Sequence, residues 1–247
     1  MKQHSYVVAD KYTFPSLVKA CSGALALREG GIIHGLIVKY GTEADVYVGS
    51  SLIDLYGKCG EMGNARKVFD GMLVRNEVTW TSMIVGYTTN GNYVDAKKLF
   101  DEMPQRNQAS WNAMMNGFVK SGDLVSARVL FDEMRDKNLV SFTTMIDGYA
   151  KFGDMESARC LFDQSPEKDI VCWSTMIAGY AQNGQPKEAT KIFMEMRSEN
   201  VKPDEYVMAS MMSACSQTGD WELAHWVDNY MRESTIDLTQ TMWLQHW

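Results

Sequence analysis

The chain has 247 residues, 45% apolar and 22% charged, with a net charge of −7. That is an ordinary balance for a folded chain, and it holds no run of about 18 apolar residues, which excludes a membrane-crossing helix. The acidic balance argues against a grip on nucleic acid by bulk positive charge, while leaving room for a local basic stripe.

Residues 1–10 form a short N-terminal segment. It has no apolar core of a secretory signal and lacks the arginine and serine enrichment of an organellar presequence. The segment 11–45 carries Phe14, Leu17, Val18 and Cys21 at helical spacing, then Ile33, Leu36 and Ile37. Beyond it the chain repeats. Phe69, Phe100, Phe131, Phe162 and Phe193 stand 31 residues apart, as do Gly60, Gly91, Gly122, Gly153 and Gly184. Ala65, Ala96, Ala127, Ala158 and Ala189 keep the same step, and so do Tyr56, Tyr87, Phe118, Tyr149 and Tyr180. Within 171–196, Trp173, Met176, Ile177 and Tyr180 mark one apolar stripe, and Ala189, Ile192, Phe193 and Met196 a second. Gly184 separates them, and Pro186 opens the second helix. Each unit is therefore a helical hairpin that needs a neighbour on either side to cover its stripes.

The spacing divides the chain into a long unit at 11–45, 31-residue units at 46–76, 77–107, 108–138 and 139–169, and a 35-residue unit at 170–204. A truncated long unit at 205–233 and an irregular tail at 234–247 follow. Pro104, Pro166 and Pro203 fall at joints between units, where proline stops a helix. Some twelve to thirteen helices and no sheet are expected over residues 11–232. The tail, with Trp243 and Trp247, matches no column and reads as an aberrant end of a truncated array.

Cys21, Cys59, Cys160, Cys172 and Cys215 form no CxxC pair, and His4, His34, His225 and His246 offer no ligand spacing. No metal site and no cofactor is expected; the cysteines read as small apolar residues in a reducing compartment.

Units reading VTWTSMIVGY, a glycine, then AKKLFDEMP resemble the pentatricopeptide repeat. The mixture of 31- and 35-residue units, with Ala20-Cys21-Ser22 and Ala214-Cys215-Ser216 in the long ones, is similar to the plant subclass that combines long and short variants. The tetratricopeptide repeat has a fixed 34-residue period and another motif, and does not fit. The resemblance implies an all-α, right-handed α-solenoid of helix-turn-helix repeats that binds single-stranded RNA, one base per repeat.

In that family the base is read by the residue after the first-helix aromatic and by the last residue of the unit. The resemblance places these roles on Ser50 with Asn76, Thr81 with Asn107, Asn112 with Asn138, Thr143 with Asp169, and Ser174 with Asp204. Asn or Asp at a joint is also a helix cap; the polar partner at the first column in every unit favours reading. The family pattern wedges bases between Tyr47, Val78, Ala109, Val140 and Val171, with Ala109 offering the least surface. Lys58, Lys120 and Lys151, two residues before the turn glycine, are either phosphate contacts or lysines at a solvated helix end. Trp80, Trp111, Phe142 and Trp173 sit in the apolar stripe and are expected to pack in the core, not to stack on bases.

Asp accepts only and suits guanine's two donors, whereas Asn suits adenine. With Asn112 reaching toward a pyrimidine, the expected RNA core is 5′-AAYGG-3′. That motif recurs by chance roughly once per 500 nucleotides, too often to define one site. No catalytic constellation is present. Neither H-x-E nor P-C-x-x-C, the deaminase signature found in extensions of this plant subclass, occurs. The chain is therefore expected to be no enzyme but a recognition factor for editing or processing of organellar RNA, with a protein partner supplying the chemistry. Its expected place is the mitochondrion, with the plastid as alternative. A protein-binding α-solenoid and a truncated product without function are the competing readings.

Overall fold

A computed structural model describes residues 13–233, which contain fourteen α-helices and no strand. The expectations for residues 1–10 and 234–247 lie outside that range. The chain divides into two compact units at the Ser121/Gly122 junction.

The first unit contains α1 (Thr13–Gly23), α2 (Leu27–Lys39), α3 (Val46–Lys58), α4 (Met62–Gly71), α5 (Glu77–Thr89), α6 (Tyr93–Glu102) and α7 (Gln108–Ser121). Helices α1, α3, α5 and α7 pack side by side in sequence order, and α2, α4 and α6 each fold back on the helix before them. The second unit contains α8 (Leu124–Glu133), α9 (Leu139–Lys151), α10 (Met155–Gln164), α11 (Ile170–Gln182), α12 (Pro186–Ser198), α13 (Glu205–Thr218) and α14 (Trp221–Glu233). Here α9, α11 and α13 pack in order, with α10, α12 and α14 beside them. The helix count exceeds the expected one because the segments at both ends complete their hairpins.

The repeated alanine and phenylalanine columns lie in the core. All five alanines are fully buried, and the five phenylalanines are nearly so. Each buried Phe contributes about 1.5–3 kcal/mol of apolar transfer. Phe69 meets Trp80 edge to face at 5.0 Å, and Phe100 meets Trp111 at 4.9 Å. In the second unit Phe131 meets Phe142 at 5.1 Å and Phe162 meets Trp173 at 4.9 Å. Edge-to-face pairing adds about 0.5–1.5 kcal/mol beyond burial. The first-helix aromatics thus bind one repeat to the next, as their place in the stripe implied. Where α13 offers Met208 at that column, Phe193 instead packs on Trp226 of α14.

The second helices explain the two repeat lengths. Helices α4, α6, α8 and α10 have ten residues each, and α12 has thirteen. Gly60 and its 31-residue equivalents adopt φ between 69° and 83°, just past each first helix, a left-handed conformation that lets glycine end it. Nearby, Gly57 and Gly86 bring α3 and α5 so close that a Cβ on Gly57 would lie 3.2 Å from the Gly86 Cα. Two asparagines each tie the ends of two consecutive first helices together, α3 to α5 and α9 to α11. The Asn90 side-chain amide donates to Gly57 O and Gly86 O, and Asn183 does the same to Ala150 O and Gly179 O.

Candidate nucleic-acid interface

The first turn of each first helix brings the candidate residues together. Asp45, Asn76, Asn107, Asn138, Asp169 and Asp204 precede these helices, and each uses Oδ1 to accept from a backbone N–H of the first turn. The acceptor–donor distance is 2.9 Å for Asn76, Asn107, Asn138, Asp169 and Asp204, all of which bond the third helical residue. Capping and reading therefore do not exclude each other. The cap engages Oδ1, a different atom from the Nδ2 of Asn or the Oδ2 of Asp; in Asn107 that second atom donates to Glu77 Oε2.

Two residues beyond each cap lies an exposed apolar row. In the first unit it comprises Tyr47 (73% exposed), Val78 (58%) and the smaller Ala109. In the second it comprises Val140 (56%), Val171 (53%) and Tyr206 (58%). Tyr206 was not among the sequence-derived candidates; its signal is its place at the second residue of α13, aligned with the other five.

The residues after the aromatic column differ in surroundings. Ser50 is buried, donates to Val46 O at 2.8 Å and lies 3.0 Å from Thr79 Oγ1. The residue before it, Gly49, stands in place of the aromatic, and Met72 lies 2.6 Å from where a Cβ on Gly49 would be. The Thr81 hydroxyl oxygen is buried without a hydrogen-bond partner, an arrangement that costs about 1–3 kcal/mol. Asn112 is half-buried on α7. The Thr143 hydroxyl donates to Leu139 O and that of Ser174 to Val171 O, which leaves their oxygens as acceptors.

Lys58, Lys120 and Lys151 are exposed. Lys58 pairs with Asp54 at 3.0 Å and Lys151 with Asp147 at 2.6 Å, each one turn earlier on its helix. The residue one turn before Lys120 is Asn116, which carries no charge.

A second basic column was not anticipated. Arg75, Arg106, Lys137 and Lys168 each immediately precede a unit-final Asn or Asp. Their cations lie over Phe69, Phe100, Phe131 and Phe162 at 4.6, 4.6, 5.1 and 5.1 Å. They also donate to carbonyls at or just beyond the ends of the second helices. Beside Asp169, burial pushes the Cys172 thiol up to about 11, with the nearby carboxylate adding to the shift. It behaves as a neutral apolar group. Among the described residues no cluster of three or more His, Cys, Asp or Glu could hold a metal ion, and no helix is long and apolar enough to cross a membrane.

Comparison with known proteins follows these columns. The PPR repeat matches residues 50–76, 78–107, 109–139, 140–170 and 207–235, and the PPR repeat family matches 168–217. "Pentatricopeptide repeat-containing protein At4g18520, chloroplastic" of Arabidopsis thaliana is 49% identical over 86 residues, covering 35% of this chain and 14% of that protein. A second Arabidopsis protein of this kind, At3g22690, is 52% identical over 84 residues, covering 34% of this chain and 10% of that one. The matches thus cover well under two thirds of these relatives' length. Among solved structures, the pentatricopeptide repeat protein PPR10 in complex with an 18-nt psaJ RNA element superposes with a TM-score of 0.74 at 18% identity. That match covers 93% of this chain and 36% of PPR10. The PPR domain of Arabidopsis thaliana protein-only RNase P 1 in complex with tRNA gives 0.57 at 16% identity, covering 67% and 93%. The fold is that of these helical-hairpin solenoids, and with its repeats matched over more than half of its length, this chain belongs to the PPR repeat family.

Proposed function

We propose that the chain binds single-stranded RNA sequence-specifically, one base per repeat, through the five polar pairs that begin with Ser50/Asn76 and end with Ser174/Asp204. The observation that carries this reading is the exposed apolar row. Burial does not explain why Tyr47, Val78, Val140, Val171 and Tyr206 stand more than half exposed, each directly beside a polar cap. A base needs both features: apolar faces above and below, and hydrogen-bonding groups at its edge. The solved structures of PPR10 and of the RNase P domain, both bound to RNA, support the reading by family kinship.

The divisions at residues 46, 77, 108, 139, 170 and 205 are the reading frame, and the alternation of lengths assigns the array to the mixed long-and-short plant subclass. The expected core is AAYGG. Lys58, Lys120 and Lys151 supply phosphate contacts. The chain itself supplies recognition, and a protein partner performs editing or processing of the organellar transcript. Relatives named chloroplastic support the plastid over the mitochondrion. Selection of bound RNAs from a random pool tests this directly. Enrichment of AAYGG is the expected result; recovery of no motif above a protein-free control overturns it.

A further inference from the structure

Thr81 with Asn107 and Ser50 with Asn76 are chemically similar pairs in different surroundings: Ser50 and Asn76 are linked through Thr79, while Asn107 faces a carboxylate. The Asn107 Nδ2 donates to Glu77 Oε2 at 2.9 Å, while its Oδ1 accepts from Ser110 N. Glu77 opens α5 and Asn107 caps α7, so the contact exists only because consecutive first helices stack in this register. The equivalent residues of the units at 46–76, 139–169 and 170–204 are Val46, Leu139 and Ile170, which have no hydrogen-bonding side chain.

We infer that Glu77 is a specificity-determining residue of the repeat 77–107, and that it accepts from the exocyclic amine of an adenine. The inference rests on the RNA-reading role proposed above. A side-chain amide has two hydrogens, and Glu77 holds one of Asn107's. The other hydrogen and the Glu77 carboxylate then present a donor and an acceptor about one hydrogen-bond length apart. Adenine's pairing edge offers the complement, N1 as acceptor and the 6-amino group as donor. With Oδ1 committed to the cap, Asn107 by itself offers the base chiefly a donor. The acceptor half of the pattern comes from Glu77, and the buried, unpartnered Thr81 hydroxyl lies in the same repeat. At Ser50/Asn76, where Val46 stands in place of Glu77, the 6-amino group has no such acceptor.

The probe is RNA carrying unsubstituted purine, which keeps N1 and lacks the 6-amino group, at the first or second base of AAYGG. Wild-type protein should prefer adenine over purine at base 2 by about fivefold or more, the lower end of a base-edge contact. At base 1 the two should bind alike. Glu77→Leu takes the residue type found at Leu139 and should erase the base-2 preference. Glu77→Gln, whose amide oxygen still accepts, should retain it. Melting curves of both variants separate this readout from any change in stability. If AAYGG is selected but purine at base 2 binds as well as adenine, the role of Glu77 falls and the repeat readout stands. If AAYGG has no preference over a scrambled RNA, both fall.

Discussion

The Ser50 hydroxyl lies 3.0 Å from that of Thr79, and Thr79 Oγ1 lies 2.9 Å from Asn76 Oδ1. The two residues assigned to read the first base are thus joined through a third, fully buried one. Ser50 also reaches Val46 O, so two hydroxyl protons serve three oxygen contacts. Thr79 N–H adds a fourth bond that holds the same Asn76 oxygen. The Asn76 amide oxygen is thus held at the start of α5 by both the N–H and the hydroxyl of Thr79.

Thr79→Val keeps the shape and removes the hydroxyl. Urea denaturation should show a loss of about 1–2 kcal/mol, the cost of stripping partners from buried polar groups. Discrimination at base 1 should fall while that at base 4 is unchanged. Equal stability and equal base-1 preference would mean that the hydroxyl link has no role.

Asp169→Asn exchanges Oδ2 for Nδ2 and keeps the Oδ1 that caps α11 through Cys172 N. Stability should therefore change little, whereas Asp169→Ala should lose about 1 kcal/mol with the cap. The fourth base should shift from G toward A by on the order of 1–3 kcal/mol, typical of a base-edge contact. Titration against AAYGG and AAYAG measures the shift, and an identical preference in both proteins would refute the assignment.

Changing Lys58, Lys120 and Lys151 together to Ala should weaken binding alike for all RNA sequences. The salt dependence should become shallower by about 0.7 per lost contact on a single strand. The fold should be nearly unaffected, because the Lys58–Asp54 and Lys151–Asp147 pairs are solvent-exposed, and such pairs contribute about 0–1 kcal/mol. An unchanged salt slope would return these lysines to the solvated surface.

Gly117→Ala places a Cβ 2.5 Å from Thr88 Cγ2, a buried side chain held by its bond to Val85 O. Calorimetry should register a loss of about 1–3 kcal/mol, as for other overpacked sites. Gly63→Ala is the control. It sits within α4 with nothing near its Cβ and should stabilise by about 0.5–1 kcal/mol.

The columns made most of the fold legible in advance, because a 31-residue step aligned Phe69 with Phe100 and Gly60 with Gly91. What the spacing could not convey was contact between side chains on different repeats. The Glu77–Asn107 bond joins residues 30 apart, through the stacking of α5 and α7. Met72 packs against Gly49, where the next four units carry an aromatic. The sequence also set capping and reading as rivals for Asn76 and its equivalents, since residue type does not say which terminal atom does what. The structure shows Oδ1 on the helix start, so the proposed readout falls to the other terminal atom. Arg75 and Lys137 escaped notice for a related reason. Their long stems let them reach back over the ring of the preceding helix, a destination that adjacent residues do not reveal.

The dual use of the capping side chains also bears on how such arrays diversify. Asn and Asp cap about equally well, so under the proposed readout exchanging one for the other would rewrite a letter of the recognised sequence while the helix beneath keeps its start. A protein held near its stability threshold seldom has such freedom, because most substitutions erode the fold. Under that readout the altered letter and the retained cap would reside on different atoms of one side chain. Targets of such a readout would drift one nucleotide at a time through a series of equally folded intermediates.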